Sequence, residues 1–481
     1  MSRKDETIDD PRGNVSTHPR EAPTAESVPQ AAPSTGLIYG LEAVPPLTET
    51  IFAALQHVLA CFVGIITPSL IIGGALQLPP ETVAYLVSMS LFVSGVATFI
   101  QVKKIGPVGS GLLSVQGTSF AFIGPIIATG SAAAAAGATP EQALGTIFCM
   151  CLAGSFIEMF LSRFLQFASK IITPLVTGTV VSLIGLTLIN TGITAIGGGA
   201  GARAAADGSF GSLQNLGLGA LVLIMIVVLN SANNVFLRMA SIAIALVTGY
   251  IVAFFMVMVD LSNLSNVSLF SLPVPFRFGF GFDAIAFIPF AFLFLITAIE
   301  SIGDLTATSA ISDEPIEGPI YMRRIKGGVL GDGINSLIAA VFNTFPNTTF
   351  SQNNGVIQLT GVGSRYVGLF IAGFFLLAGL FPIIGGVIQA VPQPVLGGAT
   401  LIMFGSVATA GIRILSTVNF DKRSSIILAT SLGLGVGVTY VPELLDQMPA
   451  LVKSIFSSGI STGGITALVL NMLLPGRSEV E

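Results

Sequence analysis

Two short polar stretches decide the fold: LLSVQGTSF at Leu112–Phe120 and TTFSQNNGV at Thr348–Val356. Each lies in an apolar region and combines small polar residues with a glycine. Lipid cannot satisfy exposed backbone groups, so chain that is not continuous helix must be buried in protein at membrane depth. We therefore expect both stretches to interrupt a membrane span, with pairing as short strands as one way to satisfy their backbone. The alternative is a pair of glycine-broken packing helices.

The composition around these stretches is that of a membrane protein. Of 481 residues, 52% are hydrophobic and 9% are charged, against about 25% charged residues in soluble proteins. The mean hydropathy is +0.86. These values exclude a soluble enzyme, a nucleic-acid binder and a disordered scaffold. Three cysteines, all in apolar segments, form no CxxC or Cys/His pattern, so neither a disulfide framework nor a metal site is expected.

A helix needs roughly 20 residues to cross a bilayer. Twelve apolar spans cover residues 48–75, 83–101, 141–162, 170–191, 213–232, 236–258, 284–306, 328–342, 365–389, 394–412, 424–440 and 459–475. The broken segments at 110–129 and 345–361 bring the total to fourteen. An all-α polytopic membrane protein is therefore expected, preceded by a polar, disordered tail without a signal-peptide h-region.

The distribution of basic residues supports this count. With the N-terminus in the cytoplasm, the loops after even-numbered spans are also cytoplasmic. They carry twelve basic residues: Lys103, Lys104, Arg163, Lys170, Arg238, Arg323, Arg324, Lys326, Arg365, Arg413, Lys422 and Arg423. The opposite loops carry three: Arg203, Arg277 and Lys453. This positive-inside bias predicts that both termini are cytoplasmic.

The two broken segments occupy equivalent positions, span 3 and span 10, in two halves covering 48–258 and 284–475. Seven spans are an odd number, so consecutive halves have opposite orientations and form an inverted repeat. Paired interrupted segments at matching positions in such halves indicate the central site of a transporter.

Few ionisable residues lie at membrane depth. They are His57, Glu158, Glu300, Asp304 and Asp332. A carboxylate at a helix centre costs about 2.5–3.5 kcal/mol of insertion free energy, so such residues point to function. The structural alternatives are a satisfied interior histidine at His57, a pair of Glu158 with nearby Arg163, and hydrogen-bonding roles for the two aspartates.

Glu300 and Asp304 are four residues apart and share one helix face. Two neighbouring carboxyl groups in a dry site repel one another when both are ionised. Such a pair holds a group that is neutral at one stage of a cycle and charged at another, as a proton carrier requires. The sequence thus indicates proton coupling at this helix.

The broken segments carry groups suited to a flat, hydrogen-bonding ligand. The amides of Gln352–Asn354 offer both donors and acceptors, and Gln116 and Ser119 lie in the opposite segment. Phe120 can cover an aromatic ring, although a plain core role is the alternative. Because no lysine or arginine lies at depth to clamp an anion, the pattern favours a nucleobase over sulfate or a sugar.

At these residues the sequence resembles the nucleobase–ascorbate transporter family. QNNGVIQLTG at Gln352–Gly361 is similar to the family signature Q/E/P-N-x-G-x-x-x-x-T-R/K/G. Further segments resemble the bacterial xanthine permease branch: LQHVLA (55–60), GSGLLSVQGTSF (109–120), ESIGDLTATS (300–309) and KGGVLGDGINS (326–336). The resemblance covers nearly the whole membrane body but not the N-terminal tail.

The resemblance implies a fold of fourteen transmembrane segments in a 7+7 inverted repeat, with short strands in segments 3 and 10. It further implies a core domain that carries the site and a gate domain that mediates dimerisation. Each domain is expected to combine a stretch from both halves: 45–162 with 284–390 for the core, and 163–283 with 391–475 for the gate. Cytoplasmic tails are expected at 1–44 and 476–481.

The resemblance also implies roles for individual residues. Substrate binding is expected at Glu300, Gln352, Phe120, Ser351, Ser119 and Gln116. Proton coupling and site support are expected at Asp304, His57, Asp332 and Asn353. Gln352 resembles the purine-selective members, since uracil transporters of the family tend to carry glutamate there. Ser119 departs from the asparagine of some xanthine-selective relatives, which leaves urate and 8-substituted xanthines open.

The expected function is therefore proton-coupled uptake of purine bases, most of all xanthine, by an elevator-like movement. The protein is expected in the bacterial inner membrane as a homodimer, with no cofactor, no metal, no nucleic-acid partner and protons rather than sodium as the coupling ion. The alternatives are a urate, other purine or uracil symporter of the same family, and a passive nucleobase facilitator or channel. A membrane enzyme is not supported, because no nucleophile–base set is present.

Overall fold

The computed structural model describes residues 37–165, 173–205, 208–234, 237, 240–259, 269–270, 272–316, 318–350, 352–449, 452, 456 and 458–474. Within these residues the fold is mostly helical, and seven helices are long and apolar enough to cross a membrane. Four shorter apolar helices accompany them. The fold is thus that of a polytopic membrane protein.

The first half of the chain begins with two long helices and then the first broken segment. Its elements are α1 (Leu47–Ala75), α2 (Pro80–Lys103), β1 (Gln116–Thr118), α3 (Ile123–Ala135), α4 (Pro140–Leu161), α5 (Pro174–Ile196), α6 (Gly199–Ala205), α7 (Leu213–Asn230) and α8 (Ser241–Phe255). A 3₁₀ turn at Phe120–Phe122 joins β1 to α3. The helix α4 starts with a capping box between Thr139 and Gln142, which satisfies backbone donors of its first turn.

The second half repeats the pattern of long helices around a broken segment. Its elements are α9 (Phe287–Ile311), α10 (Gly318–Val341), β2 (Asn347–Thr349), α11 (Gln352–Thr360), α12 (Arg365–Gly379), α13 (Pro382–Gln389), α14 (Gln393–Leu415), α15 (Lys422–Tyr440) and α16 (Gly459–Leu473). A 3₁₀ turn lies at Pro442–Leu445.

The two broken segments meet each other. Strand β1 pairs antiparallel with β2, and Gly117 lies opposite Thr348 at the centre of the register. The backbone of Ser119 donates to Pro346 (2.8 Å), and that of Phe350 donates to Val115 (3.0 Å), which extends the pairing at both ends. All three residues of each strand are buried. The interrupted backbone is therefore satisfied inside the protein, as lipid requires.

Contacts among the helices form two packing groups, each built from both halves of the sequence. In the first packing group α1–α4 pack with α9–α13; in the second, α5, α7 and α8 pack with α14–α16. Glycines bring the helices of a group to backbone contact. A Cβ at Gly95 of α2 would lie 2.7 Å from the carbonyl oxygen of Ala372 in α12, and one at Gly185 of α5 would lie 2.2 Å from the nitrogen of Ala408 in α14. Small residues at such crossings are the usual means of close packing in membranes.

Several spans differ from the sequence prediction in extent. The span predicted over 365–389 is divided, because α12 ends at Gly379 and α13 begins at Pro382, where the ring fixes φ and removes a backbone donor. Helix α10 starts ten residues before the predicted 328, in a stretch whose charged residues hid it from a hydropathy count. Helix α9 continues to Ile311, so Asp304 lies within the helix and not at its end.

Candidate functional site

A narrow cavity lies where the strand pair meets both packing groups. It has a volume of about 40 Å³, room for a few water molecules. Its lining residues are Phe120, Ala121, Ile184, Glu300, Thr348, Thr349, Phe350, Gln352 and Val407. Ile184 and Val407 belong to the second packing group and the other residues to the first, so the cavity lies at the boundary between the groups.

The polar wall of this cavity contains Glu300 and Gln352. Glu300 projects from the middle of α9 and is half-buried, whereas Gln352 is the first residue of α11 and is exposed to the cavity. The first turn of a helix leaves backbone N–H groups without intrahelical partners. Gln352 therefore brings both a side-chain amide and a helix N-terminus to the same place as a carboxyl group.

The apolar wall is aromatic. The ring of Phe120 contacts that of Phe404 edge to face, with centroids 5.6 Å apart and planes at 86°. Phe350 is held by two glycines, because a Cβ at Gly64 would lie 2.8 Å and one at Gly117 would lie 2.5 Å from its ring. The faces of such rings suit a planar ligand.

Asp332 lies behind the strands in a dense hydrogen-bond network. Its Oδ1 accepts from Gln101 Nε2 (2.6 Å), and its Oδ2 accepts from Thr349 Oγ1 (3.1 Å) and from the hydroxyl of Ser301. Asp332 is fully buried and does not line the cavity. These bonds join α2, α9 and α10 to β2, so Asp332 supports the strand pair from the rear.

Asp304 lies one turn beyond Glu300 on α9, and its carboxyl group interacts electrostatically with Glu300 and Asp332. Its backbone oxygen accepts from the side chains of Thr308 (2.8 Å) and Asn354 (3.3 Å). The same Thr308 Oγ1 lies 2.6 Å from Asn354 Oδ1, so its one proton is shared between the two acceptors. Asn354 thus ties α11 to α9 directly beside the acidic pair.

His57 is fully buried in α1 beside the side chain of Asn353. Neither ring nitrogen has a hydrogen-bond partner among the described residues, and the same is true of Asn353 Oδ1. The Asn353 amide donates to the backbone oxygen of Leu113 at 2.6 Å, which links α11 to the segment before β1. Asn353 is the side chain that interacts with the His57 ring, and the role of His57 in proton coupling stays a prediction beside the structural alternative.

Two candidate substrate contacts lie outside the cavity lining. Gln116 is fully buried and donates to Thr349 Oγ1 (3.0 Å) on the neighbouring strand. The hydroxyl of Ser119 accepts from the backbone of Ala121 (3.3 Å) and caps the 3₁₀ turn. Ser351 lies outside the described residues.

Glu158 is not paired with Arg163 as the helix-end alternative supposed. Its side chain is 1% exposed, and Arg163 lies exposed beyond the end of α4. The two ion pairs within the described ranges, Arg324–Glu314 and Arg365–Glu42, lie elsewhere.

Sequence reasoning missed several residues that build the site. Gln101, Ser301 and Thr349 all bond to Asp332. The available signal was a polar side chain within an apolar helix, because each of these groups needs a partner when buried. No cluster of three or more histidine, cysteine or acidic residues in the portion of the chain that the structure describes is placed to hold a metal ion.

The chain is similar to two curated proteins of Escherichia coli K12. It is 49% identical to the xanthine permease XanP over 460 residues, which are 95% of this chain and 99% of XanP. It is 45% identical to the xanthine permease XanQ over 445 residues, which are 92% of this chain and 95% of XanQ.

Among solved structures, the fold is similar to the overall structure of SLC26A9. The TM-score is 0.60 at 12% sequence identity, covering 89% of this chain and 66% of that chain. This likeness concerns the fold alone.

A sequence model described as "Permease family" (Xan_ur_permease) matches residues 48–444, from the second residue of α1 to beyond the end of α15. Together with the identity to the two permeases, this match settles the family. The chain is a multi-pass membrane transporter and belongs to the nucleobase–ascorbate transporter family.

Proposed function

We propose that this chain imports a purine base, with xanthine as the main substrate, together with protons across the bacterial inner membrane. The relatives that it matches over nearly their whole length are named xanthine permeases. The observation that carries the proposal is the cavity in which Glu300, Gln352 and Phe120 face the same small volume.

The chemistry of these groups fits the edge of a xanthine ring. A carboxylate accepts hydrogen bonds from ring N–H groups, and an amide both donates to a carbonyl and accepts from an N–H. Glu300 and Gln352 thus provide complementary partners for a ligand that alternates N–H and C=O. Phe120 covers the ring face, where stacking contributes about 1–3 kcal/mol per base.

Movement follows from the position of the cavity between the packing groups. Ile184 and Val407 of the second group cover residues of the first, and the space is smaller than a base. Displacement of the first group, as the core, against the second, as the gate, opens the site by an elevator-like step. In this proposal fourteen spans cross the membrane, both termini are cytoplasmic and the gate forms a homodimer.

Proton coupling draws on the acidic character of α9 and its surroundings. Glu300, Asp304 and Asp332 interact electrostatically with one another, and the hydrogen-bond partners given for the Asp332 carboxylate are hydroxyl and amide groups. A base that hydrogen-bonds to Glu300 changes the electrostatic interaction among these three acids. Proton binding and substrate binding are therefore linked at one site.

The test is uptake of radiolabelled xanthine by proteoliposomes, with a panel of unlabelled purines and uracil as competitors. Accumulation that collapses on addition of a protonophore, and that persists without sodium, supports the proposal. Equilibration that the protonophore leaves unchanged supports a passive facilitator instead. Stronger competition by urate or by uracil than by xanthine reassigns the substrate.

A further inference from the structure

Glu158 is a buried acid with no role in the substrate cavity. It lies in the last turn of α4, is 1% exposed, and has no hydrogen-bond partner for either carboxyl oxygen among the described residues. Its electrostatic neighbours are two other acids, Asp332 of α10 and Glu300 of α9. An ionised group in such surroundings would be neither paired nor solvated.

The packing of α4 against α10 brings these acids together. A Cβ at Gly333, next to Asp332, would lie 2.7 Å from Met159 Cγ and 2.9 Å from the backbone nitrogen of Met159. The missing side chain at Gly333 thus lets α10 touch the backbone of α4 beside Glu158. On the other side, a Cβ at Gly154 would lie 2.2 Å from the ring of Phe294 in α9. The face of α4 that contains Glu158 is therefore clamped between α9 and α10.

Asp332 and Glu158 differ in their hydrogen bonding. Asp332 accepts from three donors, Gln101, Ser301 and Thr349, and such bonds stabilise the ionised form of a carboxyl group. Glu158 has none of these donors in the described ranges. Of these two acids, Glu158 is therefore the better place for a proton.

Glu158 also lies near the end of α4 that leads to an exposed arginine. Its backbone oxygen accepts from the nitrogen of Ser162 at 3.0 Å, and the exposed Arg163 follows at once. One helical turn, about 5.4 Å, separates this acid from the surface that the basic residues predict to be cytoplasmic. Asp332 is an electrostatic neighbour of both Glu158 and Glu300, and Glu300 lines the cavity.

We propose that Glu158 is a proton-binding site of the transport cycle, through which the proton that enters with the base leaves on the side of Arg163. The O–H bond of the Glu158 carboxyl group breaks, the proton passes to water at the end of α4, and a carboxylate remains until the next proton arrives from the side of Asp332 and Glu300. This inference rests on the proposed proton coupling.

The test compares Glu158→Gln with wild-type protein in proteoliposomes. Xanthine exchange at equal pH on both sides moves no net proton, so we expect it to persist in the variant. Accumulation driven by an inside-alkaline pH gradient is expected to fall to the level that wild-type protein shows with a protonophore. Glu141→Gln is the matched control, because Glu141 lies exposed in the first turn of the same helix and should leave both activities unchanged.

Three outcomes oppose the inference in distinguishable ways. Gradient-driven accumulation that survives Glu158→Gln overturns the role of Glu158 alone. Loss of exchange together with accumulation makes Glu158 a structural residue and also overturns it. A wild-type protein that never accumulates xanthine in response to a pH gradient refutes the proposed coupling itself.

A second measurement covers the case in which Glu158→Gln does not fold. Infrared difference spectra of the wild-type protein, recorded on addition of xanthine, should contain a carbonyl band of a protonated carboxylic acid. This band should shift in Glu158→Asp and remain in place in Glu141→Gln. Identical spectra for wild type and Glu158→Asp would overturn the assignment.

Discussion

Gln101 donates a hydrogen bond of 2.6 Å to the carboxylate of Asp332, and the same side chain amide donates to the backbone oxygen of Gly328 at 2.8 Å. Its Oε1 accepts from the backbone of Ser110 at 2.9 Å. One side chain therefore fixes α2, α10 and the segment that leads into β1. The strands at the site depend on this residue, although it does not line the cavity.

Replacement of Gln101 by methionine should destabilise the protein while it keeps most of the buried volume. A buried donor or acceptor that loses its partner costs about 1–3 kcal/mol, and here a carboxylate and a backbone N–H both lose one. The measurement is the midpoint of thermal unfolding in detergent. Gln214→Met, at an exposed position of α7, controls for loss of a glutamine as such. Equal midpoints for Gln101→Met and wild type would contradict the network.

The sequence locates the site better than it explains it. Leu112–Phe120 and Thr348–Val356 are recognisable because small polar residues interrupt apolar spans, and Glu300 and Asp304 are recognisable because charge at depth is expensive. Neither signal depends on long-range contacts. The positions of both features can therefore be read from the amino-acid sequence alone.

The hydrogen-bond partners and neighbours of the site residues cannot be predicted from the sequence in this way. Gln116 has the side chain of a ligand contact, yet its amide bonds to Thr349 across the strands. Asp332 acquires Gln101 from a helix more than two hundred residues away. Glu158 has acidic neighbours on two other helices, which approach α4 closely at Gly333 and Gly154. Such relationships arise from tertiary packing, which cannot be predicted from the spacing of residues in the sequence.

Gly333→Ala should separate α4 from α10. The new Cβ would lie within 3 Å of Met159, including its backbone nitrogen, and overpacking of this kind costs about 1–3 kcal/mol. Gly373→Ala in α12 is the matched control, because nothing lies within 4 Å of its Cβ position and alanine favours the helix by about 0.5–1 kcal/mol. Unfolding midpoints that fall for the first variant and hold or rise for the second are the expected result. A fall of equal size in both would show that the close approach is unimportant.

Gly117→Ala should damage the cavity without touching a polar residue. Its Cβ would lie 2.5 Å from the ring of Phe350 and 2.8 Å from Ile65, so the ring must move into the space that it lines. We expect weaker xanthine binding, measured by scintillation proximity on purified protein. Phe350→Leu in the Gly117→Ala background removes the colliding ring edge and should restore some of the affinity. Additive effects of the two changes would indicate that they do not interact.

Glu300→Gln should abolish xanthine accumulation while the protein still reaches the membrane. The amide of the variant cannot take up a proton. Its NH₂ group would also face the ring N–H groups of the base, from which the wild-type carboxylate accepts hydrogen bonds. Loss of a hydrogen bond to a charged group costs about 1.5–3 kcal/mol, so equilibrium exchange should fall as well. This separates Glu300 from Glu158, whose amide variant is expected to keep exchange. Undiminished, pH-sensitive uptake by Glu300→Gln would refute its assignment to the substrate.

Gln352→Glu should change the choice of substrate more than the stability of the fold. The carboxylate keeps the acceptor of the amide but loses its donor, so a purine carbonyl that faces Gln352 is left without a partner. At about 1–3 kcal/mol for an unsatisfied polar group, xanthine affinity should fall about 5- to 150-fold, and the order of competitors should shift away from xanthine. The control is Gln358→Glu, since Gln358 is exposed on the same short helix and does not line the cavity. If both variants give the wild-type competition profile, Gln352 does not hydrogen-bond to the base. A residue in contact with the ring edge cannot exchange an amide for a carboxylate without changing which bases bind.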